Sequence, residues 1–250
     1  MSIPKKIHYC WFGRNPLPES AKKCIASWRK FLPDYEIIEW NEDNFDVNAI
    51  PYTAQAYSVG KYAFVSDYAR FKILYDHGGL YFDTDVEVIR SMDDIIAAGP
   101  FMGFEIDPDP KTGYMAVNPG LGMGALAEMS VYESILEYYS SLDFIKRDNS
   151  LNITDAVVNI TTRELKKAGL SYTTGIQAVD GTNIYPVAYF NPLNDATGRL
   201  NIRPETVSIH WFSKTWCESN SSLRTTMVRL LHRVIGTKTT GKIKRIFGAK

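Results

Sequence analysis

The stretch that most constrains the fold is residues 62–88. Within it the spacing of the apolar residues changes from the three to four residues of a helix to the two residues of a strand. In its first half the apolar residues recur at three- and four-residue steps, which places them on one face of a helix. Gly78 and Gly79 predict the end of that helix, because glycine adopts a left-handed backbone without steric cost. Over Leu80–Val88 the residues alternate between two sets, as in a strand. The sequence therefore predicts a helix, a glycine turn and a strand with an acidic face.

The acidic face of this predicted strand carries Asp83 and Asp85. Side chains two residues apart on a strand point the same way and lie roughly 7 Å apart. Such a pair suits Mg²⁺ or Mn²⁺, which proteins commonly bind through one or two carboxylates together with substrate phosphates. A short Asp-x-Asp sequence also arises by chance, so the alternative is a solvated strand face without a ligand.

Asp67 and Arg70 lie one helical turn apart, shortly before the glycine turn that returns the chain toward Asp83 and Asp85. They form either an ordinary surface ion pair, worth about 0.3 kcal/mol, or a pair that holds hydroxyl groups beside a metal. The proximity of the two charged pairs favours a binding site over a solvated face.

The amino-terminal region predicts a β-α-β unit, with a buried strand over residues 6–13, a helix over 18–32 and a strand over 35–40. Ligands of such units bind beyond the carboxyl end of the first strand. Trp11 lies near that end, where it is either a core residue or a platform on which a flat base stacks.

Two later segments carry further candidate groups. Residues 101–124 are rich in glycine and weakly periodic, which predicts a flexible loop around a sugar or acceptor pocket, with the Asn118 amide offered to hydroxyl groups. A dinucleotide-binding loop is disfavoured there, because Pro119 interrupts the strand that should precede it. His210 follows a short apolar strand over residues 206–209 and is either a core histidine or a metal ligand.

The length of 250 residues is enough for one α/β domain with a sizeable core or for two small domains, and the composition, 45% hydrophobic and 22% charged, is globular. The formal net charge of zero argues against a general nucleic-acid-binding protein. Three scattered cysteines argue against a disulfide framework and a zinc site. Because no signal peptide and no apolar run of about 20 residues is present, we expect a cytoplasmic protein.

Three blocks in this order resemble the DXD sugar-binding glycosyltransferases, which include yeast mannosyltransferases, bacterial capsule and O-antigen transferases and, distantly, the large clostridial glucosylating toxins. The blocks are residues 7–13, residues 66–85 and residues 209–216. The central block supplies Ser-Asp-x-x-Arg followed by Gly-Gly-x-Tyr-x-Asp-x-Asp. The resemblance spans about residues 3 to 217.

The resemblance implies a GT-A fold, an α/β/α Rossmann-like sandwich with a largely parallel mixed sheet, over residues 1–218. It further implies a metal-dependent hexosyltransferase that retains the configuration at the anomeric carbon. The implied donor is a nucleotide-sugar, for which we expect a UDP-hexose such as UDP-galactose or UDP-glucose. The implied acceptor is a saccharide, and we expect a lipid-linked oligosaccharide of capsule or O-antigen biosynthesis.

The same resemblance assigns roles to individual residues. Asp85 and His210 would hold Mn²⁺ or Mg²⁺ on the diphosphate, Asp83 would contact ribose or the donor sugar, and Asp67 with Arg70 would fix the sugar hydroxyls. The remaining implied donor contacts are those of Trp11, which would stack on the base, and of Tyr81, Asn118, Thr215 and Trp216.

The segment 219–250 contains eight Lys or Arg and no acid, and its apolar residues form a helical stripe flanked by arginines. A basic amphipathic tail of this kind binds an anionic membrane surface with about 1 kcal/mol per cation. The alternative is a helix packed on the domain with solvated lysines. We expect the membrane surface, and hence a peripheral protein on the inner face of the cytoplasmic membrane.

Two other functions fit parts of the pattern. Asp83 after an apolar strand also suits a haloacid-dehalogenase-like phosphatase, in which it would be the covalent nucleophile, although that motif normally opens the chain and here 82 residues precede it. A non-catalytic sugar- or membrane-binding module is the second alternative, and it would keep its binding after the loss of Asp85 or His210.

Overall fold

The computed structural model of the chain describes residues 2–213. The predicted contacts of Thr215 and Trp216 and the predicted basic tail over residues 219–250 lie outside the described residues. Within the described range the helices are α1 (Glu19–Phe31), α2 (Pro51–Ser58), α3 (Tyr62–His77), α4 (Asp93–Ala97), α5 (Ser130–Ser140), α6 (Val157–Lys167) and α7 (Val187–Phe190), with a 3₁₀ turn at Pro119–Leu121. None of these helices is long and apolar enough to cross a bilayer.

The strands of the same range form one large sheet and two small ones. In chain order they are β1 (Lys6–Cys10), β2 (Glu36–Trp40), β3 (Gly79–Tyr81), β4 (Val86–Val88), β5 (Phe101–Asp109), β6 (Tyr114–Val117), β7 (Met123–Ala125), β8 (Gln177–Val179), β9 (Thr182–Tyr185), β10 (Leu193–Asn194), β11 (Arg199–Leu200) and β12 (Ser208–His210). The large sheet has the order β2-β1-β3-β7-β5-β9-β8, with β6 paired to β5, while β12 pairs with β4 and β10 with β11.

The direction of the strands confirms the α/β class. Strands β2, β1 and β3 are mutually parallel, β7 runs opposite to both β3 and β5, and β5 is parallel to β9. Five of the eight strands therefore point the same way. The predicted β-α-β unit is present, because β1 and β2 pair in parallel around the connecting α1.

The core has two halves, one on each side of the large sheet. Alternate strand residues belong to different halves: Ile7 and Leu80 pack with α1, whereas Cys10 and Tyr81 pack with α2, α3, α5 and α6. This alternation follows from the two-residue period of a strand and produces the α/β/α layers.

Helix α1 holds the strand that follows the two aspartates. Trp28 is fully buried and donates its indole N–H to the carbonyl oxygen of Val86 at 2.7 Å. The Ser27 hydroxyl accepts from the Val88 N–H at 2.9 Å. Burial of such an aromatic side chain contributes roughly 2 to 3 kcal/mol. The strand β4 is thereby fixed against α1, outside the large sheet.

The predicted continuous strand over Leu80–Val88 is wrong, because β3 and β4 belong to different sheets. Asp83, Thr84 and Asp85 form a turn between them, closed by a bond from the Val86 N–H to the Asp83 carbonyl at 3.0 Å. The alternating pattern persists because Leu80, Phe82, Val86 and Val88 are all buried in the same half of the core on either side of the turn.

The predicted flexible loop over residues 101–124 is also wrong, since this segment forms β5, β6, the 3₁₀ turn and β7. Its glycines mark close packing. A Cβ on Gly103 would collide with the ring of Phe190, and one on Gly124 would collide with the ring of Phe101. Glycine at these positions removes the side-chain alternation from which a strand is recognised in a sequence.

Candidate functional site

Several strands deliver polar residues to one edge of the large sheet. β1 and β3 are parallel, with His8 beside Tyr81, so the segments that follow them emerge at the same edge. Trp11 follows β1, and Asp83 follows β3. β12 pairs with β4 so that His210 lies opposite Val86, next to Asp85.

Asp83, Asp85 and His210 form a cluster in which one ligand atom of each residue lies within 4.8 Å of the others. The turn thus brings the groups closer than the roughly 7 Å expected for a strand. His210 Nε2 lies 3.1 Å from Asp85 Oδ1, and the Ser213 N–H donates to Asp85 Oδ2 at 2.7 Å. The backbone carbonyl of Asp85 accepts from the Trp211 N–H at 3.0 Å.

The donor set of this cluster fits a divalent cation. Two carboxylates and one imidazole are ligands that Mn²⁺ accepts, and carboxylates suit Mg²⁺. An octahedral ion with bonds of about 2.1 Å separates its ligand atoms by about 3 to 4 Å, so a slight contraction of the cluster suffices. His210 Nδ1 is buried and has no hydrogen-bond partner among residues 2–213, so the ring is not held at both nitrogens.

The charges of the cluster are mutually dependent. Burial alone would lower the pKa of His210, but the carboxylates of Asp85 and Asp83 raise it above its ordinary value. Burial alone would raise the pKa of Asp85, but His210 and the Ser213 N–H lower it below its ordinary value. These opposite shifts favour an ion pair between His210 and Asp85, and a bound cation would take the place of the His210 proton.

Asp67 and Arg70 are not a surface pair, because their side chains are 13% and 5% exposed. Arg70 donates to Asp67 Oδ1 at 2.8 Å and to the carbonyl oxygen of Ser66 at 3.1 Å. It also lies 3.4 Å from the carboxylate of Asp83. One guanidinium thus serves two carboxylates. Burial raises the pKa of Asp67 and of Asp83, while Arg70 acts in the opposite direction on both.

Tyr81 contacts both Asp83 and Arg70. It is 1% exposed, and its hydroxyl donates to Asp83 Oδ1 at 3.1 Å. The Arg70 guanidinium lies 5.2 Å from the centre of its ring, within the range of a cation–π contact. In the described structure Tyr81 therefore orients Asp83 and Arg70, while its predicted direct contact with a donor stays a prediction.

Trp11 is half-buried at the edge of the core, and its indole N–H donates to the carbonyl oxygen of Asn15 at 2.6 Å. Its place beyond β1 agrees with the sequence-based expectation, and stacking on a base stays a prediction.

Asn118 caps the 3₁₀ turn beside Asp83. Its amide oxygen accepts from the Gly120 N–H at 2.7 Å. A Cβ on Gly120 would collide with Asp83 Oδ2 and would lie 3.0 Å from the Asn118 oxygen. Gly120 is thus the residue whose missing side chain allows the turn to approach the aspartate.

The sequence analysis missed Glu105, which accepts from the Asn118 amide nitrogen at 2.8 Å. Its charge also contributes to the raised pKa of His210. The only sequence signal is an acid that ends the apolar run 101–104. That signal could not be used while the segment was interpreted as a loop.

Comparison with known proteins gives one family match, over residues 18–102, to the family described as "Glycosyltransferase sugar-binding region containing DXD motif". This range includes Asp67, Arg70, Asp83 and Asp85. It ends before Asn118 and His210, so the geometry alone places those two residues at the site.

Two relatives and one solved structure extend this match. Inositol phosphoceramide mannosyltransferase 3 of Schizosaccharomyces pombe is 33% identical over 99 residues, which is 38% of this chain and 28% of that protein. An uncharacterized glycosyltransferase of Acanthamoeba polyphaga mimivirus is 25% identical over 203 residues, 77% of this chain and 76% of that protein. The PaToxG glycosyltransferase structure has a TM-score of 0.51 at 18% identity, over 66% of this chain and 69% of that chain.

These matches confirm the resemblance inferred from the sequence, and the solved structure shows the same fold. The chain spans less than a third of the length of the fission-yeast mannosyltransferase.

Proposed function

We propose that this chain, whose residues 18–102 match the DXD-motif sugar-binding region of glycosyltransferases, transfers a hexose from a nucleotide-sugar to a saccharide acceptor. The observation that carries the proposal is the convergence of Asp83, Asp85 and His210 at one sheet edge. Beside them lies the buried Asp67–Arg70 pair.

The cluster fits the chief requirement of such a transfer. A divalent cation held there supplies positive charge against the charge that develops on a diphosphate leaving group. Asp85 and His210 would be its protein ligands. The Ser213 N–H donates to Asp85 Oδ2 and orients this carboxylate, while the Trp211 N–H holds the Asp85 backbone through its carbonyl oxygen.

Asp83 and Arg70 serve the sugar itself. Arg70 orients Asp83 and opposes the rise in its pKa that burial causes, and the remaining capacity of the carboxylates of Asp67 and Asp83 is available to hydroxyl groups of ribose or hexose. The arginine is buried against two acids, so its position is set before the donor arrives.

The transfer retains the anomeric configuration in our proposal. The bond from the anomeric carbon to the diphosphate breaks, the acceptor hydroxyl attacks from the same face, and its proton passes to the leaving phosphate. Asp83 is held by Arg70 and by the Tyr81 hydroxyl, which lowers its capacity to act as a nucleophile.

For the donor we propose UDP-galactose or UDP-glucose. The mannosyltransferase among the relatives makes a mannose donor the alternative. For the acceptor we propose a lipid-linked oligosaccharide of capsule or O-antigen assembly, reached at the inner face of the cytoplasmic membrane. The support for the membrane is the basic amphipathic pattern of residues 219–250.

The test is release of free nucleotide from UDP-glucose, UDP-galactose and GDP-mannose, each with Mn²⁺ and each with a chelator. We expect slow, metal-dependent hydrolysis of one donor, which also identifies the base and the sugar. Release of phosphate from a simple phosphoester, with no nucleotide from any donor, would contradict the proposal in favour of a phosphatase.

A further inference from the structure

We propose that the β5–β6 hairpin forms the acceptor side of this site and that Glu105 there binds a hydroxyl group of a neutral saccharide. The inference rests on the proposed function and deepens it, because it assigns an acceptor subsite and the chemical class of the group that enters it.

The register of the sheet places the hairpin beside the aspartates. Gly124 of β7 pairs with Leu80 of β3 on one side and with Phe101 of β5 on the other. β3 and β5 run in the same direction, and Phe101 is level with Leu80. Four residues further along, Glu105 is therefore level with Thr84, in the turn between Asp83 and Asp85. Two strand spacings separate them, about 10 Å.

The order of the strands separates the two sides of the site. β1, after which Trp11 lies, is on one side of β3, and β5 is on the other side across β7. If the base of the donor lies near Trp11 and its phosphates lie at Asp85, the donor occupies the β1 side of the site. The acceptor would then bind on the β5 side. Beyond Glu105, β5 continues past this level and returns as β6, so the hairpin borders that side.

Glu105 is a carboxylate of which only one oxygen is hydrogen-bonded by residues 2–213. Its Oε2 accepts from the buried Asn118 amide at 2.8 Å, and its backbone carbonyl accepts from the Asn191 amide at 3.3 Å. Its other carboxylate oxygen accepts no hydrogen bond from residues 2–213. The residue is half-buried, so the free oxygen belongs to a group that is held in place but accessible.

The charge of the hairpin selects the class of group that it binds. Glu105, Asp107 and Asp109 lie on the same strand, and Lys111 follows at the tip. A carboxylate accepts hydrogen bonds from hydroxyl groups and repels a phosphate or another carboxylate. The subsite therefore favours a neutral sugar unit over a phosphorylated or acidic one.

The exposed apolar residues of the hairpin support a sugar ligand. Ile106 and Tyr114 are 41% and 55% exposed. The C–H face of a pyranose packs against flat or branched apolar side chains, while its hydroxyls bind polar groups at the rim. Ile106 follows Glu105 on β5, and Tyr114 pairs with Asp109 nearer the tip of the hairpin, so these apolar side chains border the outer part of the subsite.

The experiment compares neutral and charged acceptors with the full chain, Mn²⁺ and the donor that releases nucleotide. The probes are p-nitrophenyl hexosides and the same hexosides carrying a 6-phosphate. Transfer is measured as kcat/KM for each acceptor and is expressed relative to donor hydrolysis in the same reaction. The variants are Glu105→Gln, which keeps the bond from Asn118 while removing the charge, and Glu137→Gln, an exposed acid on α5.

We expect the wild type to favour the neutral hexosides. In Glu105→Gln, transfer to them should fall about 10- to 100-fold relative to hydrolysis, and the neutral-to-phosphorylated preference should fall about tenfold. Glu137→Gln should change neither quantity. Wild-type preference for the 6-phosphates, transfer to no hexoside, or an unchanged preference in Glu105→Gln would each overturn the inference.

Tyr114→Ala provides a second test at an exposed position if Glu105→Gln does not fold. It should raise the KM for neutral hexosides about three- to tenfold while leaving the preference against the 6-phosphates intact, and an unchanged KM would overturn the inference. Failure of the proposed function itself is distinct, since it would be seen as no nucleotide release from any donor by the wild type.

Discussion

His8 and His210 are both buried, yet their surroundings differ at each ring nitrogen. His8 Nδ1 accepts from the Trp40 indole at 3.0 Å, so its Nε2 carries the proton and donates to the carbonyl oxygen of Gly78 at 3.0 Å. Burial lowers the pKa of His8 to about 4. His210 instead faces Asp85 with one nitrogen, and the other has no partner within residues 2–213.

The comparison shows what distinguishes a structural histidine from a candidate ligand. His8 is satisfied as a neutral group, and it fastens the glycine turn to β1. His210 lies near the carboxylates of Asp85, Asp83 and Glu105, which together carry more negative charge than one imidazolium can balance. The residue type and the burial are the same, so the neighbouring carboxylates decide the role.

Asp85→Asn should have the largest effect on the surroundings of His210 and on activity. The variant loses a metal ligand and the charge opposite the imidazole, so we expect nucleotide release to fall about 10³-fold. His8→Asn is the matched control and should keep its activity wherever it is folded. A loss of less than about tenfold in Asp85→Asn would contradict the assigned role.

Arg70→Met tests the charge balance beneath the cluster. Removing the guanidinium leaves Asp67 and Asp83, whose side chains are only 13% and 27% exposed, without their cation, so the free energy of unfolding should fall by about 3 to 5 kcal/mol in urea denaturation. Lys72→Met removes an exposed cation from its pair with Asp76 and should cost less than about 1 kcal/mol. Equal losses in the two variants would show that the Arg70 pair is not the structural element described above.

The lowered pKa of buried His8 predicts that the stability of the protein depends on pH. The unfolded histidine binds its proton near pH 6.5, whereas folded His8 binds it only near pH 4. Protonation therefore favours the unfolded state, and its contribution should lower the free energy of unfolding by about 3 kcal/mol as the pH falls across that interval. Denaturation curves of wild type and His8→Asn measure the difference. The variant should lack this part of the slope, and identical slopes would refute the assignment.

Gly120→Ala tests whether the position of the Asp83 carboxylate matters for activity, and its expected effect is smaller. The added methyl group meets the Asp83 carboxylate, which must shift, so nucleotide release should fall about 10- to 100-fold. Gly60→Ala is the control, because no atom beyond its chain neighbours lies within 4 Å of the added methyl there. That variant should lose about 1 kcal/mol of stability from its positive φ and no activity. Full activity in Gly120→Ala would mean that Asp83 need not be held where it is.

The sequence was sufficient for the parts of the fold that follow local periodicity. The helix α3, its glycine end and the β1-α1-β2 unit all appear with bounds close to those expected, because their apolar faces are regular. Asp67, Arg70, Asp83, Asp85 and His210 were selected as candidates, and the fold brings them together.

The rest of the site depends on pairings that no local pattern records. The alternation through Leu80–Val88 could not reveal that the chain changes sheets at Asp83, because buried residues continue on the same parity. The contact of Gly120 with Asp83 and the bond of Glu105 to Asn118 join residues from separate strands. Such contacts follow from tertiary register and were therefore missed.

Mn²⁺ binding measured by electron paramagnetic resonance, with UDP or GDP present, tests the central claim most directly. The account predicts that the wild type and His8→Asn bind one ion with equal affinity and that Asp85→Asn binds it at least about tenfold more weakly. Equal affinity in wild type and Asp85→Asn, or no binding by the wild type, would contradict a metal site at Asp85 and His210.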